Sequence, residues 1–139
     1  MTSSTSETSP SATPSDLRPS TREALLRGGV LYGAGRYFEA HEVWEEAWLG
    51  ERGEVRALLQ ALIQVAAGFV KGLRDRRPAG SVKLFEAALA RLAPLPQRLA
   101  GVELDRFRSE LAEAAAAARL WRDGVTPGLQ ALAPRLDLR

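Results

Sequence analysis

Apolar side chains recur every three or four positions over most of this chain, and that period predicts amphipathic helices. We predict five helices, over residues 20–34, 36–49, 54–75, 81–93 and 105–122. No stretch shows the apolar–polar alternation that is typical of half-buried strands. The predicted fold is therefore all-α, a compact bundle of about five helices in antiparallel hairpins. The first two helices weakly resemble a tetratricopeptide hairpin, although the two helix pairs do not repeat with one period.

Residues that favour helix ends mark the predicted limits of these helices. Ser20 and Glu23 have the spacing of a capping box, which predicts the start of the first helix. Asp105 is a favourable N-cap for the fifth helix. The glycine pair Gly28-Gly29 weakens the middle of the first helix, which indicates either a close contact with another helix or a kink.

The third helix is apolar around most of its circumference, which predicts a central helix surrounded by the others. Its polar residues are confined to one stripe. The stripe contains Arg56, Gln60, Gln64, Ala67, Lys71 and Arg74. The pattern leaves open whether this stripe faces water or lines a cleft.

The second helix carries the only histidine of the chain, together with a glutamate in an unusual position. On a helical wheel the apolar arc around His41 contains Tyr37, Phe38, Trp44, Trp48 and Leu49. Glu45 falls inside this arc, one turn after His41, where the two side chains can touch. Because a buried carboxylate without a partner costs several kcal/mol, Glu45 must be paired, hydrated in a cleft or bound to a ligand. We expect both residues to be mostly buried and within hydrogen-bond distance of each other.

The composition places the chain among small globular proteins. Its 139 residues suffice for one domain, which we predict over residues 20–124, after a disordered leader over 1–19 and before a tail over 125–139. The absence of cysteine excludes disulfides and thiolate metal sites and fits a cytoplasmic protein. With a net charge of +2 and no apolar run long enough to span a bilayer, we expect no nucleic-acid or membrane partner.

The segment from Gly35 to Trp48 resembles the family known as domain of unknown function 309, a group of small helical proteins. The resemblance rests on Gly35, Tyr37, Phe38, His41, Glu45 and Trp48, and it extends over roughly residues 25–95 through the stretch 58–67. It implies a His–Glu site between the second and third helices, for which metal binding has been suggested. Many relatives have a second histidine at the position of Val70, and this chain lacks that imidazole.

Three interpretations of this site follow from the residues. His41 and Glu45 could hold a divalent metal ion, with Gln60 or Gln64 facing them from the third helix, although one histidine and no cysteine make a poor zinc site. They could instead form a structural pair, or an oriented imidazole–carboxylate pair able to act as a general base. The full candidate site is His41, Glu45, Trp48, Gln60 and Gln64.

Two classes of function follow. In one, the chain is a binding or catalytic module whose site takes a small ligand or a divalent metal cofactor. In the other, it is a helical protein-interaction module in which the His–Glu pair is structural. The residues do not decide between them, and they leave self-association open.

Overall fold

The computed structural model describes residues 17–125 and 133–138 as five helices and one short hairpin. The helices are α1 Pro19–Gly33, α2 Tyr37–Trp48, α3 Gly53–Phe69, α4 Pro78–Leu92 and α5 Leu104–Arg122. The strands are β1 Arg98–Leu99 and β2 Val102–Glu103. The predicted all-α bundle is confirmed. The expectation of no β structure is wrong. Each strand contains only two residues, which are too few to show a recognisable alternation of apolar and polar side chains.

Consecutive helices are neighbours in space, and α3 lies in the middle between α2 and α4. Its buried side chains include Leu58, Leu59, Leu62, Val65 and Phe69, which contact helices on both sides. Helix α3 and the turn that follows it form a continuous segment, Gly53–Arg74. By length and composition alone, this segment could cross a membrane. Half of the most apolar window is buried inside the bundle, as in the core helix of a soluble protein. The structure is compatible with a soluble protein, and a cytoplasmic location stays a prediction.

The end of α3 is irregular. Residues Val70–Arg74 form one turn of π-helix, in which the Asp75 amide donates to the Val70 carbonyl at 3.1 Å. Arg76 then adopts a left-handed conformation with φ of 56°, and the Arg77 amide closes the turn on the Lys71 carbonyl at 2.8 Å. Such π-turns are often found at functional sites. Here the turn sets the position of the side chains that follow Phe69.

The predicted capping box at Ser20 is wrong. Helix α1 starts earlier, with Arg18 as N-cap and Pro19 in the first turn, because a proline ring is already set for the first helical position. Ser20 is exposed and its side chain caps nothing. The buried hydroxyl of Thr21 donates instead to the carboxylate of Glu51, which also pairs with Arg18. The start of α1 is thereby tied to the turn between α2 and α3.

We expect Thr21→Val to lower the free energy of unfolding by about 1–2 kcal/mol, because it removes a hydrogen bond to a charged group. Ser20→Ala is the matched control and should change that free energy by less than about 0.5 kcal/mol. Urea unfolding followed by circular dichroism measures both. A loss of about 1 kcal/mol in Ser20→Ala, as expected of a true N-cap, would contradict this assignment.

The hairpin sets the start of α5. Arg98 pairs with Glu103 and Leu99 with Val102, around a two-residue turn in which both Ala100 and Gly101 have positive φ. The residue that caps α5 is therefore Glu103, whose carboxylate accepts from the Arg106 amide at 3.2 Å. The predicted N-cap at Asp105 is wrong, since Asp105 already lies in the first turn.

The guanidinium of Arg108 holds α5 to the end of α4. It donates to the carbonyls of Leu92 at 2.7 Å and Leu95 at 3.1 Å, and it reaches the Asp105 carboxylate at 2.9 Å. The last carbonyls of a helix have no partner within the helix. The half-buried guanidinium, by donating to two backbone carbonyls, therefore closes the end of α4 and anchors α5 to it.

Part of the predicted tail packs on the bundle. The hydroxyl of Tyr32 donates to the Pro134 carbonyl at 2.7 Å, and Leu138 forms a β-bridge with Val102. A Cβ atom built at Gly29 would lie 2.5 Å from Cδ1 of Leu138, so Leu138 occupies the space that a side chain at Gly29 would need. Residues 1–16, 126–132 and 139 lie outside the described part of the chain, so the predicted leader and most of the domain limits remain predictions.

The close contact predicted at the glycine pair is present at Gly28. A Cβ atom built there would lie 2.2 Å from Nε1 of Trp44, whose side chain is completely buried. Helix α1 therefore approaches α2 as closely as it does because Gly28 has no side chain. The alternative, a kink, is not needed to explain this glycine.

Candidate functional site

Helix α2 presents two adjacent stripes to the rest of the molecule. Its fully buried stripe consists of Tyr37, Ala40 and Trp44. Beside it runs a stripe of Phe38, His41, Glu45 and Trp48, with the 3, 4, 3 spacing of one helix face. We call this second set the α2 stripe. It marks the border between the packed face of the helix and solvent.

The α2 stripe meets the polar stripe of α3 at both ends. The guanidinium carbon of Arg56 lies 4.2 Å from the ring centroid of Trp48, and that of Arg74 lies 5.2 Å from the ring centroid of Phe38. Because the end members of the two stripes touch, the members between them line the same edge, which we call the α2–α3 edge. The polar stripe of α3 therefore contacts α2 at its two ends.

Glu45 does not occupy the position predicted for it. It is exposed and lines an open depression of about 450 Å³ on the outer face of α2, together with Glu42, Glu46 and Leu49. No hydrogen bond or ion pair among the described residues joins it to His41. The wheel was misleading because Phe38 and Leu49, which widened the apparent apolar arc, are themselves 43 % and 70 % exposed.

His41 and Gln64 each bury a polar atom that has no hydrogen-bond partner. The atoms are Nδ1 of His41 and Oε1 of Gln64, and both residues are half-buried. Rotating the amide of Gln64 by 180° would exchange oxygen and nitrogen but would still leave one polar end buried. The centroid of the His41 ring lies 5.7 Å from that of the Phe38 ring, one turn earlier on the same helix. Trp44 adds a third such atom, Nε1, on the side of α1.

The remaining predicted site residues lie along the same edge. Trp48 is half-buried beneath Arg56, and Gln60 is half-buried one turn before Gln64. Within residues 17–125 and 133–138, no group of three or more His, Cys, Asp or Glu side chains could hold a metal ion. In this part of the chain, no further His, Cys, Asp or Glu side chain therefore joins His41 and Glu45 in a metal-binding group.

A cleft opens where α2 begins, and sequence reasoning missed it. It has a volume of about 430 Å³, and we call it the amino-end cleft. Its walls include Arg36, Tyr37, Phe38, Glu39, Val70 and Arg74. The cleft joins the α1–α2 turn to the π-turn, two segments far apart in the chain.

Electrostatics in the amino-end cleft are mixed. Arg36 pairs with Glu39 at 2.7 Å, and this hydrogen bond lowers the pKa of the Glu39 carboxyl below its ordinary value. Burial raises the pKa of the Tyr37 hydroxyl, so that side chain is a neutral phenol at pH 7. Its ring stacks on Phe69 with centroids 4.9 Å apart. Val70, where the resemblance implies a second histidine in relatives, lines this cleft.

Comparison with known proteins finds a family model that matches part of this chain. Residues 25–84 match the model of the family described as Domain of unknown function (DUF309). An uncharacterized protein of Aquifex aeolicus (strain VF5) is 26 % identical over 92 residues, which cover 66 % of this chain. The matched stretch spans only 27 % of that relative's length. The resemblance to this family is therefore confirmed over residues 25–84, a segment that runs from α1 to α4.

Proposed function

We propose that this chain, whose residues 25–84 match the DUF309 family model, is a cytoplasmic ligand-binding domain whose site is the α2–α3 edge. The observation that carries the proposal is the presence of two buried polar atoms without partners, Nδ1 of His41 and Oε1 of Gln64, on the two helices that form the edge. Their ligand would be a small polar molecule that can donate to or accept from both.

Unpartnered polar atoms favour binding over a purely structural role. Leaving a buried acceptor without a partner costs about 1–3 kcal/mol. A structural site would be expected to satisfy such groups, whereas a binding site exposes them to a ligand and tolerates the cost without it. The two helices that carry these atoms are in contact through the Arg56–Trp48 and Arg74–Phe38 pairs.

A polar organic ligand agrees better with this edge than a metal ion. His41 has one imidazole, and a glutamine oxygen is a weak ligand for a transition metal. The carboxylate of Glu45 is exposed and lies in the outer depression, together with Glu42 and Glu46. His41 therefore acts in our proposal as a hydrogen-bonding group, and no catalytic role is assigned to it.

We expect Gln64→Met to raise the free energy of unfolding by about 1 kcal/mol, because it replaces a buried unpartnered amide by an apolar side chain of similar length. Gln60→Met is the matched control, since Gln60 lies on the same stripe without a buried orphan atom, and it should change stability by less than about 0.5 kcal/mol. Urea unfolding measures both. If Gln64→Met were destabilising, the edge would be structural, as the protein-interaction hypothesis requires.

Binding itself is tested with a library of small polar molecules screened by ligand-observed NMR against the full chain. A hit that supports the proposal loses affinity at least tenfold in both His41→Phe and Gln64→Met and keeps it in Gln60→Met. Divalent metal ions are screened in parallel. Saturable metal binding lost in His41→Phe, with no organic hit that depends on Gln64, would replace the proposal by a metal site.

A further inference from the structure

We infer that two copies of this chain associate through the outer face of the α1–α2 hairpin, with α1 of each copy on α2 of the other. Three contiguous depressions cover this face. The depression over α1 shares Glu23 and Arg27 with a depression between the two helices, and that one shares Glu46 with the outer depression of α2. We call the whole surface the hairpin face. Self-association through it does not depend on the proposed ligand site.

The α1 half of the hairpin face is apolar with a basic border. Leu26 and Val30 lie one turn apart, are 44 % and 73 % exposed, and line a depression of about 640 Å³. An amphipathic helix normally covers such residues, and a grouped apolar surface indicates an interaction site. Arg22 and Arg27 border the same depression, are exposed, and form no ion pair within the described part of the chain.

The α2 half is acidic with an apolar end. Glu42, Glu45 and Glu46 are exposed and line one depression, and none of them forms an ion pair with another described residue. Leu49, in the same depression, is 70 % exposed. Neighbouring carboxylates repel one another, so a basic surface placed opposite them is favourable.

The two halves therefore complement each other, and this complementarity selects the occupant. A twofold axis parallel to the helices lays the basic half of each copy on the acidic half of the other, and it lays exposed apolar residues from both copies in one interface. Glu23 opposes this pairing, but it is one carboxylate beside two guanidinium groups. Because one continuous surface carries both members of the complementary pair, a second copy satisfies the whole face and closes a symmetric dimer.

Reversal of charge tests the arrangement with the full chain and sedimentation equilibrium. One variant combines Arg22→Glu with Arg27→Glu, and the other combines Glu42→Arg with Glu46→Arg. We expect the wild-type chain to form dimers and each variant alone to associate about tenfold or more weakly, because like charges then face each other. An equimolar mixture of the two variants should form a heterodimer, since every reversed half then meets an opposite charge. Circular dichroism checks that both variants keep their helices.

A second pair of variants tests the apolar part of the face. Val30→Glu should weaken the dimer about tenfold or more, because it places a carboxylate in an apolar contact. The matched control is Leu120→Glu, an exposed leucine of α5 that is 54 % exposed and lies outside the hairpin face, which should leave the dimer unchanged.

Three results would overturn self-association through the hairpin face. The first is a wild-type chain that stays monomeric at its highest soluble concentration. If Val30→Glu then lowers the free energy of unfolding, a segment of the same chain covers the face, and if it does not, a different protein is the occupant. The second is equal weakening by Val30→Glu and Leu120→Glu. The third is a mixture of the two charge variants that associates no better than either variant alone.

Discussion

Gly28→Ala is expected to lower the free energy of unfolding by about 3 kcal/mol. The new methyl group would lie 2.2 Å from Nε1 and 2.6 Å from Cδ1 of Trp44, well inside van der Waals contact. Trp44 cannot turn away, because its side chain is fully buried and packs against Tyr32 with centroids 5.9 Å apart. The strain must therefore move α1 away from α2, which opens the packing along their whole contact.

Gly33→Ala is the matched control for this prediction. Gly33 is the last residue of the same helix, and an added Cβ there meets nothing within 4 Å. Alanine should stabilise the helix at this position by about 0.5 kcal/mol, because glycine has the greater freedom in the unfolded chain. Urea unfolding followed by tryptophan fluorescence would measure opposite signs. A neutral Gly28→Ala would show that α1 can shift without loss of packing.

Arg108→Ala is expected to cost about 2–3 kcal/mol. The substitution leaves the carbonyls of Leu92 and Leu95 at the end of α4 without their charged donor, and hydrogen bonds to charged groups contribute more than neutral ones. Arg108→Lys should recover only part of the loss, because an ammonium group cannot reach two carbonyls and Asp105 in the same fork geometry.

Arg119→Ala separates this effect from a general loss of charge. Arg119 lies on the same helix and pairs with Glu86 at 2.9 Å, but both side chains are about half exposed. Its removal should cost less than about 1 kcal/mol. Thermal and urea unfolding of the three variants would check the order Arg108→Ala, Arg108→Lys, Arg119→Ala from largest loss to smallest. Equal losses for the two alanine variants would refute the role assigned to Arg108.

The candidate site shows which side-chain positions a helical wheel can predict and which it cannot. It correctly placed Tyr37 and Trp44, which are buried, in the apolar arc of α2, because the period of an α-helix is set locally. It misplaced Glu45, since a wheel shows the direction in which a side chain points but not whether another element covers it. His41 could be located at the border of the packed face only after α3 was in place.

The amino-end cleft could not be predicted, because it joins segments that are more than thirty residues apart in the chain. Arg36 and Tyr37 come from the turn after α1, whereas Val70 and Arg74 come from the π-turn after α3. The π-turn itself depends on a hydrogen bond from Asp75 to Val70, and no local propensity distinguishes that bond from an ordinary helical one.

The start of α5 has a similar explanation. Asp105 has a good N-cap side chain, but the hairpin delivers the chain two residues earlier, and Glu103 takes the position. The hairpin in turn is supported by Leu138, from the far end of the chain, which bridges to Val102. A cap is therefore selected by where tertiary pairing lets the helix begin, among several side chains that could serve.

The sequence by itself determined the five helices, the central place of α3 and the family motif around His41, because helical period, composition and motif spacing are properties of short segments. Only the tertiary structure decided which polar groups lie together. Burial, close approach and orphaned hydrogen-bonding atoms arise between helices, and they depend on how closely Gly28 lets α1 approach and how the π-turn aims Arg74. The predicted pair of His41 and Glu45 is not formed, and the buried polar atoms without partners on these two helices belong to His41, Trp44 and Gln64.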